Sequence, residues 1–124
     1  MHDHQRWIEE KRKKYKAFQP VFSPALKEWV VFNADGFNHL LARKNRIPRI
    51  VSEQIYKLSL LSSIVTVIKK AQSIRDHRVI KRSSNKSFVQ YWSLISVIGK
   101  QKVKVILRKI GNQKVQFWSV MKIK

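Results

Sequence analysis

Cysteine is absent from this 124-residue sequence, and acidic residues are few, with 7 Asp and Glu against 27 Lys and Arg. Without cysteine the chain has no disulfide and no thiolate metal site, which fits a reducing compartment. Magnesium prefers oxygen ligands, and so few scattered carboxylates make a poor cage for it. The composition therefore argues against a two-metal nuclease, and we expect neither a metal nor a cofactor.

Long apolar runs are missing as well. The amino-terminal segment, residues 1–16, lacks the apolar run of a secretory signal. The longest mostly apolar stretch, from Leu58 to Ile68, is too short to cross a bilayer as a helix. We therefore expect a cytoplasmic protein that does not engage a membrane.

Positive charge is what the sequence has in excess, with a formal net charge of +20. Charge of this size repels itself and disfavours a compact state, so we expect a polyanionic partner that neutralises it. Nucleic acid is the commonest such partner, because each bound phosphate releases condensed counterions. Hydrophobic residues nevertheless make up 44% of the chain, which is enough for a folded core.

A basic helix is predicted at the amino terminus, over residues 3–17, where glutamates and lysines recur at the i,i+4 spacing that stabilises an exposed helix. Pro20 and Pro24 interrupt the chain after it. We therefore divide the chain into a basic helix at residues 1–20 and a single α+β domain at residues 21–124.

The middle of the chain predicts one strand, one short helix and a longer core helix. The strand covers residues 28–32, and the short helix covers residues 37–43. Ser52 is the predicted amino-terminal cap of the core helix, whose apolar residues recur at helical spacing to about Ala71. The polar, basic segment 72–87 predicts a mobile loop.

Three strand-like runs end the sequence, at residues 89–98, 103–110 and 115–123, and short glycine-containing turns separate them. This spacing predicts an antiparallel β-meander. We expect this C-terminal meander to have about four strands. Because helices come first and the meander last, the fold class is α+β, with the N-terminal helices packed on the sheet.

The last two strands alternate apolar and polar residues. Strict alternation places four side chains on the face opposite the apolar one: Lys104, Arg108, Trp118 and Lys122. A basic, partly aromatic face suits phosphate binding and base stacking, although an ordinary solvated face has the same pattern. A register slip of one residue would place Ser119 beside Arg108 instead, so the choice between Trp118 and Ser119 stays open.

His39 follows a turn and precedes a basic cluster. Imidazole transfers protons near neutral pH, and cleavage of RNA through its 2′-OH needs such a base. That reaction also needs cations to stabilise the charge on the pentavalent phosphate, and cations nearby lower the pKa of the imidazole. The alternative is a histidine that only packs or lies at the surface, beside cations that only bind backbone phosphates. The candidate cations are Arg43, Lys44, Arg46 and Arg49.

Three segments together resemble a known family: residues 29–41, residues 46–49 with the helix after them, and the last strand at residues 115–121. They are similar to the barnase–EndoU–colicin–RelE ribonuclease superfamily, and within it to the small phage- and mobile-element-associated branch. The resemblance runs from about Trp29 to the carboxyl terminus. It implies N-terminal helices before a four-stranded antiparallel sheet, and RNA cleavage without a metal.

The resemblance also implies roles for individual residues. His39 matches the general acid or base of the family, Trp118 a base-stacking residue and Ser119 a hydrogen-bond donor to the transition state. A second histidine or glutamate on a core strand is missing, so the partner acid would be His77, Tyr91 or a lysine, or would be absent. The predicted catalytic residues are His39, Arg43, Arg46 and Ser119, and the predicted nucleic-acid-binding residues are Lys44, Arg49, Lys104, Arg108 and Trp118.

Three hypotheses of function follow. The first is a toxin-like, metal-independent endoribonuclease that leaves a 2′,3′-cyclic phosphate, with RNA as substrate and an acidic immunity or antitoxin protein as its electrostatically favoured partner. The second is a non-catalytic RNA- or DNA-binding module. The third is a ribosome-associated structural protein. Loss of turnover with retained binding in a His39→Ala variant would separate the first from the others.

Overall fold

The computed structural model describes residues 3–43, 46–81 and 88–123. These ranges contain four helices and one sheet of six strands. The helices are α1 (Asp3–Lys16), α2 (Ala34–Leu41), α3 (Val51–Ser59) and α4 (Leu61–Lys70). The strands are β1 (Val21–Ser23), β2 (Glu28–Val31), β3 (Asp76–Lys81), β4 (Phe88–Ile98), β5 (Gln101–Ile110) and β6 (Val115–Ile123). None of the described helices combines the length and the apolar character needed to span a membrane.

The strands lie in the order β1-β2-β6-β5-β4-β3. All neighbours are antiparallel except β2 and β6, which run parallel. The predicted α+β class and the three-stranded meander are confirmed, but the sheet is mixed and has six strands rather than four.

Both additional strands lie at the edges of the sheet. β1 has only three residues and lies between the two prolines, so it is too short to show a hydrophobic period. β3 lies in the segment that the sequence predicts as a mobile loop. All six of its residues are exposed, so it has no alternation of buried and exposed side chains to reveal it.

The hydrophobic core lies between one face of the sheet and the helices. α4 contributes four buried apolar residues, and β4, β5 and β6 contribute side chains that alternate along each strand. Ile8 and Tyr15 of α1 belong to the same cluster. The largest fully buried side chains include Phe37, Phe117, Leu40, Leu58, Ile64, Ile68, Leu94 and Leu107.

The predicted single core helix is in fact two helices that meet at Leu60, whose backbone leaves the helical conformation. The apolar period does not reveal the break, because Leu58, Leu61 and Ile64 keep helical spacing across it. Ser52 is not the cap either. α3 begins at Val51, one residue earlier, without a side-chain hydrogen bond at its amino terminus.

β6 contains a β-bulge at Trp118. Ser119 lies opposite Ile106 of β5, whereas the next pair is Leu107 with Phe117, so Trp118 is the extra residue. After the bulge the alternation reverses, and Lys122 lies opposite Val103 of the apolar face. Lys104 and Arg108 share the other face as predicted, but the assignment of Lys122 to that face is wrong.

Candidate functional site at the β6 bulge

His39, Trp118 and Arg108 form a stack on the face of the sheet away from the core. The rings of His39 and Trp118 are 4.2 Å apart between centroids and nearly parallel, at 18°. The guanidinium carbon of Arg108 lies 3.6 Å from the centroid of the Trp118 ring. Helix α2 supplies the histidine, β5 the arginine and the bulge of β6 the tryptophan. A nucleobase that stacked on this ring would have to share it with Arg108 and His39 or displace one of them.

A close approach of α2 to β6 brings His39 over Trp118. Asn33 caps the helix, its side chain accepting a hydrogen bond from the backbone N–H of Gly36 at 3.3 Å. A Cβ atom at Gly36 would lie 2.5 Å from the carbonyl oxygen of Phe117, so glycine permits this contact. The Tyr15 hydroxyl donates to the carbonyl of Asn33 at 2.6 Å and fixes the start of the helix from below.

Arg108 is oriented by polar groups on both sides. The Gln116 amide is assigned the orientation that satisfies both of its neighbours: its oxygen then accepts from Arg108 Nε at 3.2 Å and Nη2 at 3.1 Å, and its nitrogen donates to Asn33 Oδ1 at 2.9 Å. Asp35 lies 3.7 Å from Arg108 Nη2. Only 12% of the Arg108 side chain is exposed, so the guanidinium is held in place before any ligand binds.

Arg49 lies under the histidine and is anchored by Glu53. Its Nε donates to the carbonyl of His39 at 3.2 Å, and its Nη1 is 3.7 Å from Glu53 Oε2. Arg43 reaches the same carboxylate, with Nη2 at 3.1 Å from Oε1. Glu53 therefore holds two of the predicted cations.

Lys57 is the functional candidate that the sequence analysis missed. Its ammonium donates to Ser119 Oγ at 3.3 Å and to the carbonyl of Val120 at 2.9 Å. The neighbouring Tyr56 hydroxyl accepts from the backbone N–H of Lys122 at 2.6 Å. Along β6, β2 pairs with Val115 and Gln116. Beyond these two residues, Lys57 and Tyr56 of α3 form hydrogen bonds with the backbone at the edge of β6. On α3, Lys57 resembles any helical lysine, and only the sheet order reveals its contact.

The electrostatics of the site follow from burial and from crowded positive charge. Burial, followed by the charges of Arg49, Lys57 and Arg108, lowers the pKa of His39 to about 4. Burial and Arg49 lower the pKa of Lys57 to about 8, against the opposing effect of Glu53, and Lys104 adds to the lowering. At neutral pH the site therefore holds a neutral imidazole beside an ammonium whose proton is unusually easy to release.

The structure brings six of the nine predicted residues together and leaves two of the described ones, Arg43 and Arg46, apart. The group at the bulge contains His39, Arg49, Arg108, Trp118 and Ser119, with Lys104 coupled to it through Lys57. Arg43 is connected to the group only through Glu53. Arg46 is exposed in a left-handed turn, at φ 61°, and no contact with His39 is found for it in the described part of the chain. Lys44 lies outside the described residues.

The two aromatic candidates for the missing acid lie on different faces. His77 is paired with Trp92, which faces the core, and stacks on that ring. Tyr91 is directly opposite Arg108 and therefore shares its face. A lysine, the third candidate, is present at the site itself as Lys57. The site therefore contains a candidate proton acceptor, a candidate proton donor and guanidinium groups that other protein groups hold in place.

Across residues 3–43, 46–81 and 88–123, no group of three or more histidine, aspartate and glutamate side chains is placed to hold a metal ion. Comparison of the chain with protein-family models, with curated proteins and with solved structures found no match.

Proposed function

We propose that this protein is a metal-independent endoribonuclease whose active site is the cluster around His39. The observation that supports this most strongly is the placement of one neutral imidazole among the cations Arg49, Lys57 and Arg108. A base beside fixed positive charge is what cleavage through the RNA 2′-OH requires. The resemblance to ribonucleases stays a prediction, and it names the same histidine.

His39 acts as the general base in this proposal. It removes the proton of the 2′-OH, whose oxygen then forms a bond to the adjacent phosphorus. With a pKa of about 4, the imidazole is neutral at pH 7 and ready to accept that proton. The negative charge of a bound phosphate raises the pKa of His39 and makes it a stronger base in the complex. Trp118 holds the ring in position by stacking.

Lys57 completes the reaction as the general acid. The bond from phosphorus to the 5′-oxygen breaks, and that oxygen takes a proton from the ammonium. The products are a 2′,3′-cyclic phosphate and a 5′-hydroxyl end. A pKa lowered to about 8 keeps Lys57 protonated at pH 7 while making the proton easier to give than that of an ordinary lysine.

Arg108 and Arg49 stabilise the negative charge that builds up on the phosphorane. Each side chain is only 12% exposed and is held by other protein groups, so little reorganisation is needed when charge develops. Ser119 lies beside the acid, where its hydroxyl accepts from Lys57 and keeps the ammonium in position. In this proposal Ser119 acts through Lys57.

The experiment that tests the proposal uses a single-stranded RNA oligonucleotide and a DNA oligonucleotide of the same sequence, both in EDTA. Cleavage of the RNA alone, with a 2′,3′-cyclic phosphate identified by mass, is the expected result. His39→Asn is expected to lower the rate by a factor of about 10² to 10⁴. His77→Asn is the matched control, since His77 also stacks on a tryptophan but lies on the other face.

Three results would overturn the proposal. Cleavage that persists in His39→Asn would place the chemistry elsewhere or expose a contaminant. Cleavage of DNA at the same rate would show that the 2′-OH is not the nucleophile. Absence of cleavage by the unmodified protein, while it binds both oligonucleotides, would leave a binding module.

That module is the second candidate function, and one observation favours it. An imidazole with a pKa of about 4 is a weak base unless a bound phosphate raises the value, so the cluster would then serve only to bind phosphate. The net charge of +20 supports nucleic-acid binding in either case. We also propose a cytoplasmic location and an acidic inhibitor protein as partner, both on the basis of the sequence.

A further inference from the structure

A row of alternating cationic and aromatic side chains crosses the sheet and ends at the His39 site. The strand register places Arg78 of β3 opposite Tyr91 of β4, and Tyr91 opposite Arg108 of β5. The guanidinium of Arg78 is 6.0 Å from the Tyr91 ring, and that of Arg108 is 3.6 Å from the Trp118 ring. We name Arg78, Tyr91, Arg108 and Trp118 the cross-strand row.

The cross-strand row faces away from the helices. On β4 the buried Trp92 and Leu94 point into the core, and Tyr91 precedes them on the opposite side. On β5 the buried Leu107 precedes Arg108 in the same way. Neighbouring strands lie about 4.8 Å apart, so the row spans roughly 14 Å from β3 to β6. It is long enough to contact more than the one phosphate at His39.

Guanidinium groups bind phosphates, and an aromatic ring between them offers a surface on which a base can stack. In a duplex the base faces are covered by their neighbours, so such a row suits a single strand whose bases are splayed out. We propose that the cross-strand row is the binding track for a single-stranded RNA, with one base stacked on Tyr91 and the backbone phosphates held by Arg78 and Arg108. This rests on the proposed function for the identity of the scissile phosphate at His39.

The test measures binding without turnover, by fluorescence anisotropy of a labelled single-stranded DNA oligonucleotide, which has no 2′-OH to react. Tyr91→Leu is expected to weaken binding by about 5- to 100-fold, the usual range for loss of one base–aromatic stack. Arg78→Gln is expected to lower the slope of log affinity against log salt by about one. Thermal unfolding midpoints of each variant verify that the fold is retained.

Lys81→Gln is the matched control, because it removes one positive charge from the same strand. Lys81 is exposed like Arg78 but alternates with it, so it lies on the other face of β3. The track predicts a larger loss of affinity for Arg78→Gln than for Lys81→Gln. Equal losses of affinity in the two variants would show that only overall charge matters. Unchanged binding in Tyr91→Leu would show that no base stacks on Tyr91. Either result overturns the proposal.

Measurements of RNA cleavage distinguish a failure of the binding track from a failure of the proposed active site. For an oligonucleotide that reaches β3, Tyr91→Leu is expected to raise KM and leave kcat unchanged, whereas His39→Asn lowers kcat. If His39→Asn still cleaves but Tyr91→Leu binds poorly, the active-site assignment fails and the track stands. If a duplex of the same length binds as tightly as the single strand, the track fails whatever happens to cleavage.

Discussion

Two histidine–tryptophan stacks lie on opposite faces of the same sheet. His39 stacks on Trp118 at 4.2 Å between centroids and 18° between planes. His77 stacks on Trp92 at 5.2 Å and 8°. The pairs are nearly equivalent as ring contacts, but their surroundings differ. The His77 ring is exposed, and Gln90 is its hydrogen-bond partner at 3.0 Å. Burial, followed by the charges of three neighbouring cations, lowers the pKa of His39 to about 4.

The difference shows that the neighbours of a histidine decide its chemistry, and that the stack only sets its orientation. Trp92 is part of the hydrophobic core, and His77 stacks on its ring. Trp118 is instead the bulge residue and lies on the opposite face, beside Arg108. Substitutions at each stack and on each face therefore test whether only the His39–Trp118 stack is a reactive site.

The largest effect is expected for Lys57, which contacts β6 beside the first stack. If it is the general acid, Lys57→Gln lowers kcat by a factor of about 10² to 10⁴. It also removes the fall in kcat/KM above pH about 8 that deprotonation of Lys57 causes. The pH–rate profile of the RNA oligonucleotide measures both. Lys69→Gln, on the exposed end of α4, is the control for loss of one charge.

A purely structural role for Lys57 gives a different pattern. The ammonium also serves the edge of β6, so some loss of stability is expected in Lys57→Gln. Lys57→Arg keeps a donor and a positive charge, but it moves the alkaline limb upward because guanidinium does not lose its proton in this range. An unchanged alkaline limb in both variants would show that Lys57 only supports the strand.

The next prediction compares the stability that each face of the sheet contributes, with substitutions at two adjacent residues of β5. Leu107 is fully buried on the face of the second stack, so Leu107→Ala is expected to lower the free energy of unfolding by about 2–5 kcal/mol. Ile106 lies on the face of the first stack and is partly exposed, so Ile106→Ala is expected to cost less than half as much. Urea unfolding measures both values. Equal losses would mean that the outer face is also a packed core.

The apolar face is what the sequence predicts best. Hydrophobic residues alternate along β4, β5 and β6, and the glycines between them fix where the strands turn. β1 is not predicted because its three residues are too few to show a hydrophobic period. β3 is not predicted because its six residues are all exposed and show no alternation of buried and exposed side chains. The break at Leu60 is not predicted because the helical period continues through the change of direction.

The sequence predicts only part of the site, because the β6 bulge and the order of the strands bring its residues together. Alternation places Lys104 and Arg108 together, and local context singles out His39. Alternation already places Trp118 on the face of Arg108, but nothing in the sequence of β6 indicates the bulge that puts the next residue, Ser119, on the same face, where it meets Lys57. The choice between Trp118 and Ser119 therefore has no single answer, since both belong to the site.

A smaller effect is expected at Gly36, where the close approach of α2 positions the first stack. Gly36→Ala crowds the carbonyl of Phe117 and is expected to cost about 1–3 kcal/mol of stability. The strained helix shifts away from β6, so the His39 pKa rises toward its ordinary value. Gly99→Ala is the contrast: it has φ +62 and open space around it, so the backbone strain alone costs about 1–2 kcal/mol. NMR titration of His39 distinguishes them, because only Gly36→Ala is expected to move it.

The last prediction links the pKa of His39 to stability. Its folded value of about 4 lies below the ordinary value of about 6.5, so between these limits the unfolded chain binds more protons than the folded one. Stability therefore falls as the pH drops from 6.5 toward 4, by about 1 kcal/mol per pH unit or less from this group. Urea unfolding at several pH values measures the slope. His39→Gln is expected to flatten it, and an unchanged slope in this variant would show that His39 does not cause the pH dependence.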